Sequence, residues 1–307
     1  MGNDASLRPF VLDDAIRRIR RFTSIQIQGM AQLASDQARH ACLHAIAACA
    51  MRWTDALAEM VLAGRTRPPW RLRLAETHPP ARESPDTLQI GVYALAANPL
   101  HWGHILVGLT ALVLMKLDRV IFVIAGEDPR KPFMLQQEIR HRLARTVIDA
   151  FEPFFEYSPI ALGSGLDGET NLGRLLALNP RQRVHAFYVA GSDHYRRRNQ
   201  RGEPDTIEKL EGLSRSLLET SASGHTVSAV FIDRLGQGDG PVRVETFLDV
   251  HTLPAVPLMC SSTAARHDLC AGELTEAVTS VPYATFAEIQ SLGLYGTKLA
   301  CQEGLSA

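Results

Sequence analysis

The chain has 307 residues, 46% of them hydrophobic and 21% charged, the mix of a globular protein with a sizeable buried core. Its 32 Lys+Arg nearly cancel its 33 Asp+Glu, for a net charge of −1, which argues against a broad basic field for nucleic acid or anionic membrane. No run of 18 apolar residues is present, so no membrane-spanning helix is expected. Five cysteines (Cys42, Cys49, Cys260, Cys270, Cys301) are odd in number and lack CxxC spacing, which points to a reduced, cytoplasmic setting rather than a disulfide framework or a structural zinc site.

Residues 13–63 read as helix almost throughout. Ile46, Cys49, Ala50, Trp53, Leu57, Met60 and Val61 recur at three- and four-residue steps and build one buried face. Gly64 is well placed to end that run. Residues 66–85 carry five prolines and many charges and read as a connector. The chain therefore divides into a helical extension with its connector, 1–86, and an α/β domain, 87–307. A polypeptide starting near Ser84 is expected to fold and bind nucleotide by itself. The extension is a candidate surface for homo-oligomer formation, a cover for the site, or a partner-binding element.

From there strands and helices alternate. Strands are expected at 88–95, 119–125, 184–190, 226–232 and 242–250. Helices are expected at 104–116, 136–151, 205–219 and 283–292. Such alternation predicts a doubly wound parallel sheet, whose ligands bind at the carboxyl ends of its strands.

The most informative segment follows the first strand of that domain. Asn98-Pro99-Leu100-His101-Trp102-Gly103-His104 leads from strand through loop into helix, with two histidines three apart. A helix N-terminus offers unpaired N–H groups and a partial positive charge, so it attracts phosphate. Histidines in its first turn add directed donors, and Gly103 lets a phosphate approach the backbone. The plain alternative is a helix capped by two histidines with no ligand. Downstream, Ser261-Ser262-Thr263 supplies hydroxyls and a second helix start, and Arg266 follows one turn later with a guanidinium suited to phosphate oxygens.

These segments resemble the nucleotidyltransferase superfamily, in particular nicotinate and nicotinamide mononucleotide adenylyltransferases. HxGH at His101–His104 and SSTxxR at Ser261–Arg266 match in order. Between them, 128–132 resembles the family's proline-lysine loop, Arg142 the arginine of the following helix, 189–193 its strand-GxD element, and 231–236 its strand ending in RxG. Even the tail, from Val281-Pro282 to Leu294-Tyr295, is similar. The resemblance covers about 88–296 and implies a Rossmann-like nucleotidyltransferase fold.

It implies catalytic roles for His101, His104 and Arg266, and nucleotide contacts from Tyr93, Ala94, Asn98, Gly103, Lys131, Gly191, Asp193, Ser261, Ser262 and Thr263. Thr170 and Arg234 are its implied acceptor contacts, and Tyr195 is this chain's own candidate beside them. It also implies Mg²⁺ held mainly by substrate phosphates, with no dedicated protein metal site. The partners implied are small molecules, a nucleoside triphosphate and a phosphorylated acceptor, with neither nucleic acid nor membrane. The acceptor side departs from the family pattern. Glu169 and Gly173 stand where the family has pyridine-contacting residues, only Thr170 survives there, and no tryptophan follows Asp193. Tyr195 is the candidate platform and Arg196–Arg198 are candidate phosphate contacts. A cytidylyl- or adenylyltransferase acting on another phosphate or phosphonate, a non-catalytic nucleotide sensor, and an aminoacyl-tRNA synthetase are the competing readings. The last is disfavoured by the absence of a KMSKS-like segment.

Overall fold

A computed structural model describes residues 8–65, 72–78, 84, 86–127, 131, 133–220, 224–233, 244–256, 260–273 and 275–296. Within them six strands form one all-parallel sheet of order β3-β2-β1-β4-β5-β6: β1 (Leu88–Leu95), β2 (Arg119–Ile124), β3 (Phe155–Ser158), β4 (Val184–Gly191), β5 (Thr226–Ile232) and β6 (Val250–Leu253). Every residue of β2 is buried, as expected of a strand covered by helices on both faces. The chain order reverses direction between β1 and β4, so the connections leaving those two strands diverge and open a crevice at their carboxyl ends.

Each face has its own core. On one face lie α1 (Arg8–Ala31), α2 (Gln37–Leu62), α3 (Trp102–Leu114), α4 (Gln137–Ile148), α7 (Ser262–Ala271), α8 (Thr275–Ser280) and α9 (Tyr283–Ser291), whose buried residues form one continuous cluster around Trp102, Leu106 and Phe122. On the other lie α5 (Gly168–Ala177) and α6 (Thr206–Glu219), packed on Val92, Tyr188 and Phe231.

Several expectations need revision. The long helical run is two helices, broken at 32–36, where the Asp36 carboxylate caps α2 by accepting from the Arg39 N–H at 2.9 Å. Gly64 does end α2, at φ +63. Both α1 and α2 contribute to the same core as α3 and α9, so the texture change in the sequence does not mark a boundary between cores. Among the described residues, Ile25 and Leu62 are the large apolar side chains these two helices leave exposed. The connector is mostly outside the described residues, but Leu72 and Leu74 are buried in the second core. The last strand is shorter and later than 242–250: residues 244–249 are irregular and only Val250–Leu253 pairs with β5.

Candidate active site

Strand β1 delivers the chain to a loop at 96–100, and α3 starts at Trp102 with His101 as its extended N-cap, φ −134°. The His101 N–H donates to His104 Nδ1 at 3.3 Å, and the two imidazoles stack with centroids 3.6 Å apart. Because Nδ1 accepts, the neutral His104 ring carries its proton on Nε2, which makes Nε2 a donor. His104 lines the crevice; His101, 7% exposed, lies behind it. Gly103 is explained by this stacking, since a Cβ there would stand 2.9 Å from the His101 ring and 3.2 Å from Cys260 Cβ. Its smallness serves side-chain packing beside the helix start.

The second motif docks on the same loop. Ser261 caps α7, its Oγ accepting from the Ala264 N–H. Ser262 Oγ donates to the Pro99 carbonyl at 3.1 Å, and Arg266 Nη1 donates to the Asn98 carbonyl at 2.8 Å. Arg266 Nη2 also reaches Thr263 Oγ1 at 3.2 Å. Two helix N-termini, those of α3 and α7, are thereby locked to one loop, which concentrates partial positive charge where phosphates would lie. Asn98 is 3% exposed and braces the loop, its Oδ1 accepting from the Tyr295 hydroxyl at 2.9 Å and the Leu135 N–H at 3.4 Å.

Beside this loop a cavity of about 580 Å³ opens over the ends of β1, β2 and β4. Of the expected nucleotide contacts, Tyr93, Ala94, Lys131, Gly191 and Asp193 line it together with His104. Arg234 and the rest of the proline-lysine loop lie outside the described residues. Thr170 is exposed and absent from the lining.

Tyr195 is also absent from the lining: its ring stacks on Phe231 at 4.7 Å and 13°, committed to the second core. The arginine run is likewise spent. Arg196 pairs with Asp205, Arg197 makes a two-pronged pair with the buried Glu211 at 2.9 and 2.8 Å, and Arg198 pairs with Glu208 at 2.8 Å. Tyr195→Ala is therefore expected to leave the acceptor KM within about twofold and to cost about 1 kcal/mol or more of stability, read by steady-state kinetics and urea denaturation.

Helix α4 also carries a further arginine that the sequence pattern does not single out. Arg142 is a surface partner of Glu288, whereas Arg140, 1% exposed, donates to the carbonyls of Leu135, Ala96, Ala125 and Gly126 at 2.9, 2.7, 2.9 and 2.5 Å. It ties the ends of β1 and β2 to the loop before α4. Nothing in the sequence pattern reveals a cluster of carbonyls waiting for it. Arg140→Met would leave those acceptors buried and unmet; a loss of about 3 kcal/mol or more is expected in a denaturant titration.

The wall opposite the histidines was largely missed. It is built at the N-termini of α5 and α6. Asp167 caps α5 and pairs with Lys209 Nζ at 2.9 Å. Burial raises its carboxyl, but bonds from Thr170 and Lys209 outweigh that and hold it below the usual carboxylate range. Glu169, 8% exposed, accepts from Thr206 Oγ1 at 2.9 Å and bonds the Tyr188 phenol. Gly168 is obligatory there, because a Cβ would fall 2.3 Å from the Tyr188 hydroxyl and 2.5 Å from Ala94 Cβ.

The sheet order defines the class: an α/β protein with the fold of solved nucleotidyltransferases, in which the starts of α3 and α7 meet at one loop. Its relatives agree with that class. A probable nicotinate-nucleotide adenylyltransferase from Thermus thermophilus is 30% identical over 112 residues, which is 36% of this chain and 58% of that protein. One from Roseiflexus sp. is 36% identical over 105 residues, 34% of this chain and 52% of that protein. The chain thus spans a little over half the length of these curated relatives. A solved structure, the Plasmodium falciparum nicotinic acid mononucleotide adenylyltransferase complexed with NaAD, superposes with a TM-score of 0.53 at 14% identity, covering 69% of this chain and 99% of that one. No family model matches. No described helix is long and apolar enough to cross a membrane.

Proposed function

We propose that this chain transfers the adenylyl group of ATP to the phosphate of a pyridine mononucleotide, forming a dinucleotide of the NAD type and releasing pyrophosphate. The observation that carries this reading is the docking of α7 on the loop that opens α3, through Ser262 on Pro99 and Arg266 on Asn98, beside a cavity large enough for a nucleotide. In the reaction an acceptor phosphate oxygen forms a bond to the alpha-phosphorus of ATP, the bond to the bridging oxygen breaks, and pyrophosphate leaves with its electron pair. Side chains need only position the groups and stabilise charge.

His104 Nε2 donates to the phosphate oxygens as charge develops, and His101 fixes the ring that does so. The N-termini of α3 and α7 add fixed dipoles, and Arg266 supplies the nearby cation. Lys131, at the rim, reaches the triphosphate, and Asp193 accepts from ribose hydroxyls. Mg²⁺ would supply charge neutralisation on the triphosphate. Among the described residues no three His, Cys, Asp or Glu side chains converge; in this reading the metal would be carried by the substrate's phosphates and water. The odd number and the spacing of the five cysteines favour a reduced, cytoplasmic setting.

The test is pyrophosphate release from ATP or CTP, each with nicotinamide or nicotinate mononucleotide. Release is expected only with ATP and a pyridine mononucleotide. Release with CTP alone, or with neither mononucleotide, overturns the reading in favour of another acceptor or donor on the same fold.

A further inference from the structure

We propose that the wall formed by the starts of α5 and α6 makes this chain select the amide form of the acceptor ring over the acid form. The inference rests on the reading above and adds the acceptor's charge class to it. The two candidate acceptors differ at one substituent. The nicotinamide ring is a pyridinium cation bearing a neutral carboxamide whose NH₂ donates hydrogen bonds. The nicotinate ring is the same cation bearing a carboxylate, so it is neutral overall and its substituent only accepts.

The cavity is asymmetric in the way that separates these two. The phosphate elements, HxGH and SSTxxR, lie on the α3 and α7 side of the sheet, which leaves the α5 and α6 side for the ring of the acceptor. Three carboxylates line that side: Asp167, Glu169 and Asp205. Helix N-termini would ordinarily welcome an anion, but both are already filled by the protein's own. Asp167 Oδ1 accepts from the Thr170 N–H at 2.9 Å, and Asp205 Oδ1 accepts from the Thr206 N–H at 2.9 Å. The nearby cations are engaged as well, Lys209 with Asp167 and Arg196 with Asp205.

Glu169 decides the preference. Its carboxylate is held by the hydroxyls of Thr206 and Tyr188, so those two donors are turned toward Glu169 and away from an incoming carboxylate. Burial, reinforced by the charge of Glu169, pushes the Tyr188 phenol well above its usual range and keeps it protonated in that role. The three carboxylates outnumber Lys209 on this lining, and Lys209 is held by Asp167, so the wall offers a ligand mainly acceptor capacity and negative potential. A pyridinium with an NH₂ donor satisfies both, whereas a ring carboxylate meets like charge. Gly168 sets the geometry, because any side chain there would push the start of α5 off β1 and β4 and carry Glu169 with it. The curated relatives carry the acid form in their names, whereas the preference proposed for this chain is for the amide form.

The experiment compares kcat/KM for nicotinamide and nicotinate mononucleotide at saturating ATP, in the full chain and in Glu169→Gln. The unmodified protein is expected to favour the amide form by about tenfold or more. In Glu169→Gln that ratio is expected to fall at least about fivefold, with the KM for ATP within about twofold. A ratio near one, or a preference for the acid form, in the unmodified protein overturns the inference and leaves the adenylyltransferase reading intact; this arm needs no variant to fold. An unchanged ratio in a folded Glu169→Gln overturns the role of Glu169. If neither mononucleotide releases pyrophosphate, the adenylyltransferase reading falls and this inference with it.

Discussion

His104→Ala is expected to lower turnover about a hundredfold or more, with ATP and acceptor saturating, while the thermal midpoint moves by only a few degrees. The imidazole lines the cavity, and its Nδ1 is fixed by the His101 N–H, so Nε2 is a preset donor. Loss of one oriented donor to developing phosphate charge is worth roughly 2.7–4 kcal/mol in the transition state. The folding cost is smaller, about 1 kcal/mol for one helix-start hydrogen bond. His101→Ala separates the two effects. Its ring is buried, stacked on His104 and packed against Gly103, so its removal opens a cavity and takes away the stacking that steadies the His104 ring, although the backbone N–H to Nδ1 stays. Activity and stability should fall together in His101→Ala, and activity alone in His104→Ala. Pyrophosphate release and differential scanning fluorimetry on both variants read the difference. Near-normal turnover in His104→Ala removes it from the site.

That contrast also shows which parts of the site were legible. HxGH and SSTxxR were readable because phosphate binding at a helix start needs a compact, local pattern. Their mutual docking was not, since Ser262 and Arg266 reach backbone carbonyls 163 and 168 residues away, and a carbonyl carries no sequence signal. The same blindness hid Arg140, whose partners are all backbone carbonyls. The acceptor side failed for a different reason. Tyr195 and Arg196–Arg198 looked available because exposed basic and aromatic residues in a loop suggest a ligand. In the fold they meet Phe231, Asp205, Glu211 and Glu208, partners supplied by β5 and α6. Alternating strands and helices announced the parallel sheet. The four-residue β3 was too short to show periodicity, and α5, starting at Gly168, was hidden by a weak helix former that close packing requires.

A chain beginning at Ser84 is expected to be insoluble or to melt without cooperativity, contrary to what the proline-rich connector suggests. Without α1 and α2, the first core loses Ile19, Met30, Leu43, Ile46 and Leu57, each at most 1% exposed. Each such side chain stabilises the fold by roughly 1.5–3 kcal/mol through burial, so five together approach or exceed the 5–15 kcal/mol of an ordinary domain. Their removal also uncovers α3, which packs on α2 and carries His104. The attachment is specific as well as apolar. The Ala284 N–H donates to Gln26 Oε1 at 2.6 Å, and Phe22 meets Phe151 edge-on at 5.7 Å. Gly29 leaves no room for a side chain, since a Cβ would stand 2.5 Å from the Tyr283 ring at the start of α9. Gly29→Leu in the full chain is therefore a milder version of the same test: it must push α1 off α9, and about 1–3 kcal/mol of stability should be lost. Solubility, thermal melting and ATP binding of the Ser84 chain decide the matter. A cooperative melt within a few degrees of the full chain, with ATP still bound, shows that α1 and α2 are an accessory layer and that the α/β domain carries its own stability.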